Sequence, residues 1–229
     1  MTRYRLDSQF HCSYLESRGV PGKTREIISL SFPVMQLPVT LYPVMQLPVT
    51  SRSPSIPLKC GLSCPYILLT SYYTWDAFSQ IENEFLYLSS QYKYISLIGD
   101  FNGRTSVEKD YFLFDEKDEA NTFSDFIENG VSCLDLLEIP RERKNKDLVK
   151  NRHGALLLDF CKGNNMFILN GRLNGDKDGN FTCKGTSVVD YCISNVHFLS
   201  KFHSLKVLEF SSLLSDVHCP LSITLHVKL

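Results

Sequence analysis

Between residues 76 and 98 the apolar residues change period once, and that change sets the class of fold. Ala77, Phe78, Ile81, Phe85 and Leu88 fall at i, i+3/i+4 and i+7 spacing, the stripe of an amphipathic helix over residues 76–89. Thr74 stands where such a helix takes its cap. Tyr94-Ile-Ser-Leu-Ile98 then reads as a short buried strand, ended by Gly99. The alternation continues downstream. Residues 153–162 predict a helix around Leu156, Leu157, Leu158 and Phe160, and Met166-Phe-Ile-Leu169 a strand that ends at Asn170-Gly171. Residues 64–69, 181–183, 188–194, 207–210 and 221–227 read as further strands. Residues 122–130 read as a short helix stopped by Gly130, after a charged and aromatic loop from 103 to 122. Strands mixed with helices, with polar residues at strand ends, predict a layered α/β domain with a sheet core.

The first 59 residues show no such period. Pro-Val-Met-Gln-Leu-Pro-Val-Thr occurs at 33–40 and again, identically, at 43–50, followed by a Ser/Pro-rich stretch. Two copies are too few for a solenoid, and the prolines suit neither a helix interior nor a central strand. The expected organisation is therefore an irregular or disordered segment over 1–59, or an extended arm packed on the domain, and a folded domain over 60–229. That length is enough for one sizeable core. A net charge of −1 gives no whole-chain field for a polyanion, so a nucleic-acid partner would need a local patch. Residues 141–152 (Arg-Glu-Arg-Lys-Asn-Lys-Asp-Leu-Val-Lys-Asn-Arg) supply one, although a solvated loop has the same composition. Cys60 and Cys64 stand four apart with no matching second pair, which argues against zinc. No signal-peptide core and no run of membrane-spanning length is expected, so the reading is an intracellular, reduced protein.

Four polar clusters fall at strand ends. Asp100 and Asn102, two apart on an extended segment, point the same way and suit a hard divalent cation or a water placed against a phosphate. A Gly-Asp turn would look the same. Asn170 suits a turn as well as a site. Thr182 precedes Ser187-Val-Val-Asp190-Tyr191, where Asp190 interrupts an apolar strand. There it must be paired, metal-bound or at an exposed edge. Ser215-Asp216-Val217-His218 offers a carboxylate beside a histidine, either an acid/base pair or a surface pair.

Together these runs resemble the endonuclease/exonuclease/phosphatase superfamily, which includes deoxyribonuclease I and the apurinic endonucleases. Gly99-Asp100-Phe101-Asn102 is similar to its Gly-Asp-Phe-Asn motif, Ser187-Val-Val-Asp190-Tyr191 to its Ser-x-x-Asp-Tyr motif, and residues 215–220 to its closing Ser-Asp-His motif. Leu-Leu-Asp-Phe-Cys161, Ile-Leu-Asn-Gly-Arg172 and Phe-Thr-Cys-Lys184 resemble the endonuclease of LINE-type (non-LTR) retrotransposons. The resemblance implies a deoxyribonuclease I-like two-sheet β-sandwich flanked by helices, truncated on its amino-terminal side. It implies magnesium, with manganese as a substitute, and no small-molecule cofactor. DNA would be the partner, the nucleus the place of action, and no membrane would be involved. Asp100 would orient or deprotonate water, Asn102 would bind the scissile phosphate, and Asp190 would assist on the leaving-group side. His218, oriented by Asp216, would stabilise the transition state. Asp216 would also serve as a metal ligand. Tyr66, Thr182, Asn170 and Arg104 would contact phosphate.

Two departures stand against this. The family's amino-terminal Asn and principal metal-binding Glu have no counterpart in a strand context, and Val217 separates Asp216 from His218 where the family has them adjacent. Tyr66 is also followed by Ile-Leu-Leu rather than prolines. The alternatives to a working nuclease are an inactive truncated relic and a non-catalytic nucleic-acid-binding module of the same fold.

Overall fold

A computed structural model describes residues 3–6, 10–15, 25–32, 60–63, 74–113, 130–212, 215 and 217–228. The elements in chain order are β1 (Arg3–Leu6), β2 (Phe10–Leu15), β3 (Arg25–Phe32), β4 (Cys60–Ser63), α1 (Thr74–Gln91), β5 (Tyr94–Asp100), α2 (described over 130–136), α3 (Arg152–Gly163), β6 (Met166–Ile168), β7 (Asp190–Asn195), α4 (Val196–Leu199), β8 (Phe202–Val207) and β9 (Leu221–Lys228). They form two sheets. One has the order β4-β5-β7-β6, with β4 parallel to β5 and the other pairs antiparallel. The other has the order β1-β2-β3-β9-β8 and is antiparallel throughout.

The alternation of side chains along the strands sorts the apolar residues into two cores. On β9, Leu221, Ile223 and Leu225 share one face and meet Ile98 of β5, Phe167 of β6, Cys192 of β7 and Leu205 of β8. That core lies between the sheets. The opposite face of β5, β6 and β7 presents Ile95, Leu97, Met166, Ile168, Tyr191 and Ile193 to α1 and α3. All five stripe residues of α1 are buried there, and Phe85 meets Phe160 of α3 edge-on at 5.7 Å. Each fully buried Leu, Ile or Phe in these cores stabilises the fold by about 1.5–3 kcal/mol relative to exposure. Among the described residues no helix is long and apolar enough to cross a membrane.

Three sequence expectations need correction. Strands β1, β2 and β3 stand in the amino-terminal stretch expected to be irregular or disordered, or an extended arm packed on the domain. The reason is remote: β3 pairs with β9 along its whole length, from Arg25↔Lys228 to Phe32↔Leu221. A partner that far along the chain leaves no local trace. Gly130 does not stop a helix but lies in one, where an added Cβ would strike the Asn165 side chain. The strand expected at 207–210 is instead β8 at Phe202–Val207, and Leu208 and Phe210 are exposed. The octapeptide copies, most of the expected helix at 122–130, and the strand at 64–69 lie outside the described residues. So do the site candidates Tyr66 and Asp216.

Candidate active site

Asp100 is the last residue of β5 and Asp190 the first of β7, and the antiparallel register sets them directly opposite each other. Cross-strand neighbours of this kind project from the same face with Cβ atoms roughly 5 Å apart. Two carboxylates are thus forced together at one end of a buried sheet. His218 completes the group. A short extended stretch bridges Cys183, with Cys219 N donating to Thr182 O at 2.7 Å and Lys184 N to Val217 O at 2.9 Å. Ser215 Oγ accepts from His218 N at 3.0 Å, which fixes the backbone that delivers the ring. His218 Nδ1 then lies 3.0 Å from Asp190 Oδ2, and Nε2 lies 3.6 Å from Asp100 Oδ2. The first is a hydrogen bond and the second a charge contact.

The electrostatics follow from burial. Asp100, Asp190 and His218 are 1%, 0% and 5% exposed. Burial, and then the charge of Asp190, push the Asp100 carboxyl up to about 7, against the Asn102 N–H and His218. Burial alone would lower the His218 imidazole. The hydrogen bond to Asp190 and the two nearby carboxylates outweigh it and hold the ring above its ordinary value. One oxygen of Asp190, Oδ1, is buried without a hydrogen-bond partner. A buried carboxylate oxygen with nothing to bind is costly. It sits in the one group of three ligand-type side chains among the described residues whose atoms all lie within 4.8 Å of one another. Two carboxylates, one with an unsatisfied oxygen, and an imidazole fit a divalent cation.

The other predicted residues surround this trio in supporting positions. Asn102 takes a left-handed backbone (φ 48°), which asparagine tolerates, and its N–H donates to Asp100 Oδ1 at 2.8 Å. Thr182 Oγ1 accepts from the N–H groups of Val189 and Asp190, each at 3.1 Å. Asn170 continues the edge that β6 leaves at Ile168: its Nδ2 donates to Asp190 O and its Oδ1 accepts from Cys192 N. Both side chains therefore grip the backbone that carries Asp190. Thr182→Val is expected to destabilise the chain by about 2 kcal/mol or more, because two buried N–H groups lose their acceptor. Urea denaturation of the variant tests this, and a change below about 0.5 kcal/mol would refute it. Arg104 is committed elsewhere, with Nε and Nη2 donating to the Asp147 carboxylate at 2.7 and 2.6 Å. The basic run 141–152 is largely neutralised. Arg143 is buried, Arg141 pairs with Asp135 at 2.5 Å, and Lys150 pairs with Glu108 at 2.6 Å.

The sequence reading passed over three residues that brace the site. Tyr191 OH donates to Gly103 O and Val188 O at 2.8 Å, and Asp147 Oδ2 accepts from Val188 N at 3.0 Å. Asn151 caps α3 and reaches the Asn102 segment. Its signal was available, since an asparagine before the apolar run at Leu156 is a helix-start signature.

No family model and no curated protein matches the chain. A solved structure, the 3'-5' exonuclease (NExo) from Neisseria meningitidis, is similar at 12% identity with a TM-score of 0.45, over 94% of this chain and 79% of that one. A likeness this loose fixes neither fold nor chemistry.

Proposed function

We propose that this chain is a metal-dependent phosphodiesterase that nicks DNA, a retrotransposon-type endonuclease in a deoxyribonuclease I-like sandwich. The observation that carries the reading is the convergence of Asp100, Asp190 and His218 at one end of the β5–β7 pair, with an unsatisfied carboxylate oxygen among them. The four polar clusters of the sequence and the motifs they resemble support it. Asp100 and Asp190 would hold the cation, with magnesium favoured because its preferred ligands are oxygens. When bound, such an ion stabilises charge on a phosphoryl oxygen and lowers the pKa of water.

The protein groups divide the remaining work. Asp100, at the cation, would orient the attacking water or accept its proton. His218, whose imidazole is raised by the hydrogen bond to Asp190 and by the two carboxylates, would donate toward the phosphoryl group when protonated. Thr182 and Asn170 keep Asp190 in register.

Supercoiled plasmid tests the reading. Conversion to the nicked form is expected with magnesium or manganese and not with a chelator. Absence of nicking under both ions defeats it. One observation favours a second reading, an inactive member of the same fold: the trio is almost entirely closed to solvent, and His218 already bonds Asp190 directly. That reading predicts DNA binding without nicking.

A further inference from the structure

We infer that Asn151 is a positioning residue of this site, acting through Asn102. Asn151 has one helix to cap and one loop to hold, and its single amide does both. Its Oδ1 accepts from Gly154 N at 2.7 Å, closing the first turn of α3. The same oxygen accepts from Arg104 N at 2.9 Å. Its Nδ2 donates to Asn102 O at 2.9 Å. The loop is thereby held on both sides of Gly103, three residues beyond Asp100. Contact between helix and loop is close. A Cβ on Gly103 would lie 3.1 Å from Gly154 N, and a Cβ on Gly154 would strike Arg104 O.

What is held is a left-handed turn. Asn102 sits at φ 48°, and in that conformation its N–H reaches Asp100 Oδ1. Left-handed backbone is uncommon outside glycine, and asparagine adopts it where its neighbours hold it. The bond from Asn151 Nδ2 to the Asn102 carbonyl holds it from the far side, beside the Asn102 N–H on Asp100 Oδ1. α3 is anchored in turn through Leu157, Leu158 and Phe160 against the β5–β7 sheet. Asn151 thus refers the Asp100–Asn102 turn to the rigid part of the fold.

Asn151→Asp separates the two jobs. A carboxylate keeps the acceptor for Gly154 and Arg104 and suits a helix start, but it faces Asn102 O with an oxygen instead of a donor. The inference rests on the nuclease reading only for its effect on catalysis, so the experiment has two arms. Amide hydrogen exchange of Asn151→Asp is expected to speed up about tenfold or more at Asn102 while the amides of α3 are unchanged. Plasmid nicking is expected to fall about tenfold with thermal stability retained. Asn151→Ser, which caps but cannot span to the loop, is expected to behave alike. Unchanged exchange at Asn102, or equal loosening of α3 and the loop, overturns the inference. Selective exchange at Asn102 in a parent that never nicks upholds Asn151 as the brace and defeats the nuclease reading instead.

Discussion

Asp100→Asn is expected to reduce plasmid nicking at least about a thousandfold and, at the same time, to stabilise the chain at alkaline pH. The first effect is the loss of a group that accepts a proton in the reaction, where such groups contribute about 10²–10⁴. The second comes from the same burial that raised its pKa. Holding that carboxyl at about 7 instead of 3.8 reflects on the order of 4 kcal/mol against the ionised form. In the folded chain Asp100 binds its proton more tightly than in the unfolded chain. Its contribution to stability is therefore fully present below the unfolded value of 3.8 and is lost as pH rises to about 7. His218 acts in the same sense. Its raised value makes a contribution that is complete below 6.5 and disappears as pH climbs through the folded value. The parent chain should lose stability steadily between pH 5 and 8, and Asp100→Asn should flatten that decline. Magnesium should oppose it most above pH 7, because a cation competes with the protons on its ligands. Urea denaturation at pH 5.5 and 8, with and without magnesium, measures all three. A variant that nicks like the parent would remove Asp100 from the chemistry, and one that loses stability with pH as steeply would show that its burial does not set the pH dependence.

The largest effect on stability is expected at Asp110. Its carboxylate receives Nη1 and Nη2 of Arg172 at 2.6 and 2.7 Å and the N–H of Ile168 at 2.7 Å, and both partners of the ion pair are wholly buried. Burial works against its ionisation, but Arg172, with help from Arg143, holds the carboxyl below the ordinary range. Arg172 in turn donates to the carbonyls of Ile168, Pro140 and Arg141. The pair ties three loops to the end of β6. Asp110→Ala would leave two buried guanidiniums, those of Arg143 and Arg172, without their shared counter-charge. Removing one partner of a buried pair costs about 3–5 kcal/mol, against a total stability of about 5–15 kcal/mol. Arg172→Met should cost less, because Asp110 keeps Arg143 and the Ile168 N–H. Adding Arg172→Met to Asp110→Ala should recover part of the loss. Urea denaturation of the two single variants and the double variant completes the cycle. A cost below about 1 kcal/mol for Asp110→Ala would mean the pair is not what fastens these loops.

The parts of this fold that were legible in the sequence are those whose signal is local. The stripe from Ala77 to Leu88 specified α1, and the apolar runs at 94–98 and 188–194 found β5 and β7, because a strand covered on both faces must be apolar throughout. β8 escaped because His203 and Lys206 face outward between Phe202, Ser204 and Leu205, which breaks the run. β3 escaped because its partner β9 is remote in the chain, and the short β1 and β2 are added to its other edge. In the site, Asp100, Asp190 and His218 were named from the strand ends and the motif resemblance. Asp216, which the sequence set beside His218, lies outside the described residues. Among the described residues the carboxylate bonded to the ring is Asp190, brought there by sheet register and not by proximity in the chain, so no local signal announced it. Asn170 and Thr182 read as phosphate contacts because an amide and a hydroxyl at a strand end look alike whether they face a ligand or the backbone of Asp190.

β9 begins just after His218 and is held along one edge by β3 and along the other by β8. This has a consequence for synthesis. A nascent chain that has emerged only through β8 already contains Asp100 and Asp190, yet it has neither the imidazole between them nor the strand that anchors the segment carrying it. Strand pairing between β3 and β9 closes a long loop of chain and belongs among the slow steps of folding. Whatever chemistry the cluster performs therefore stays silent until β9 has been made and has found β3.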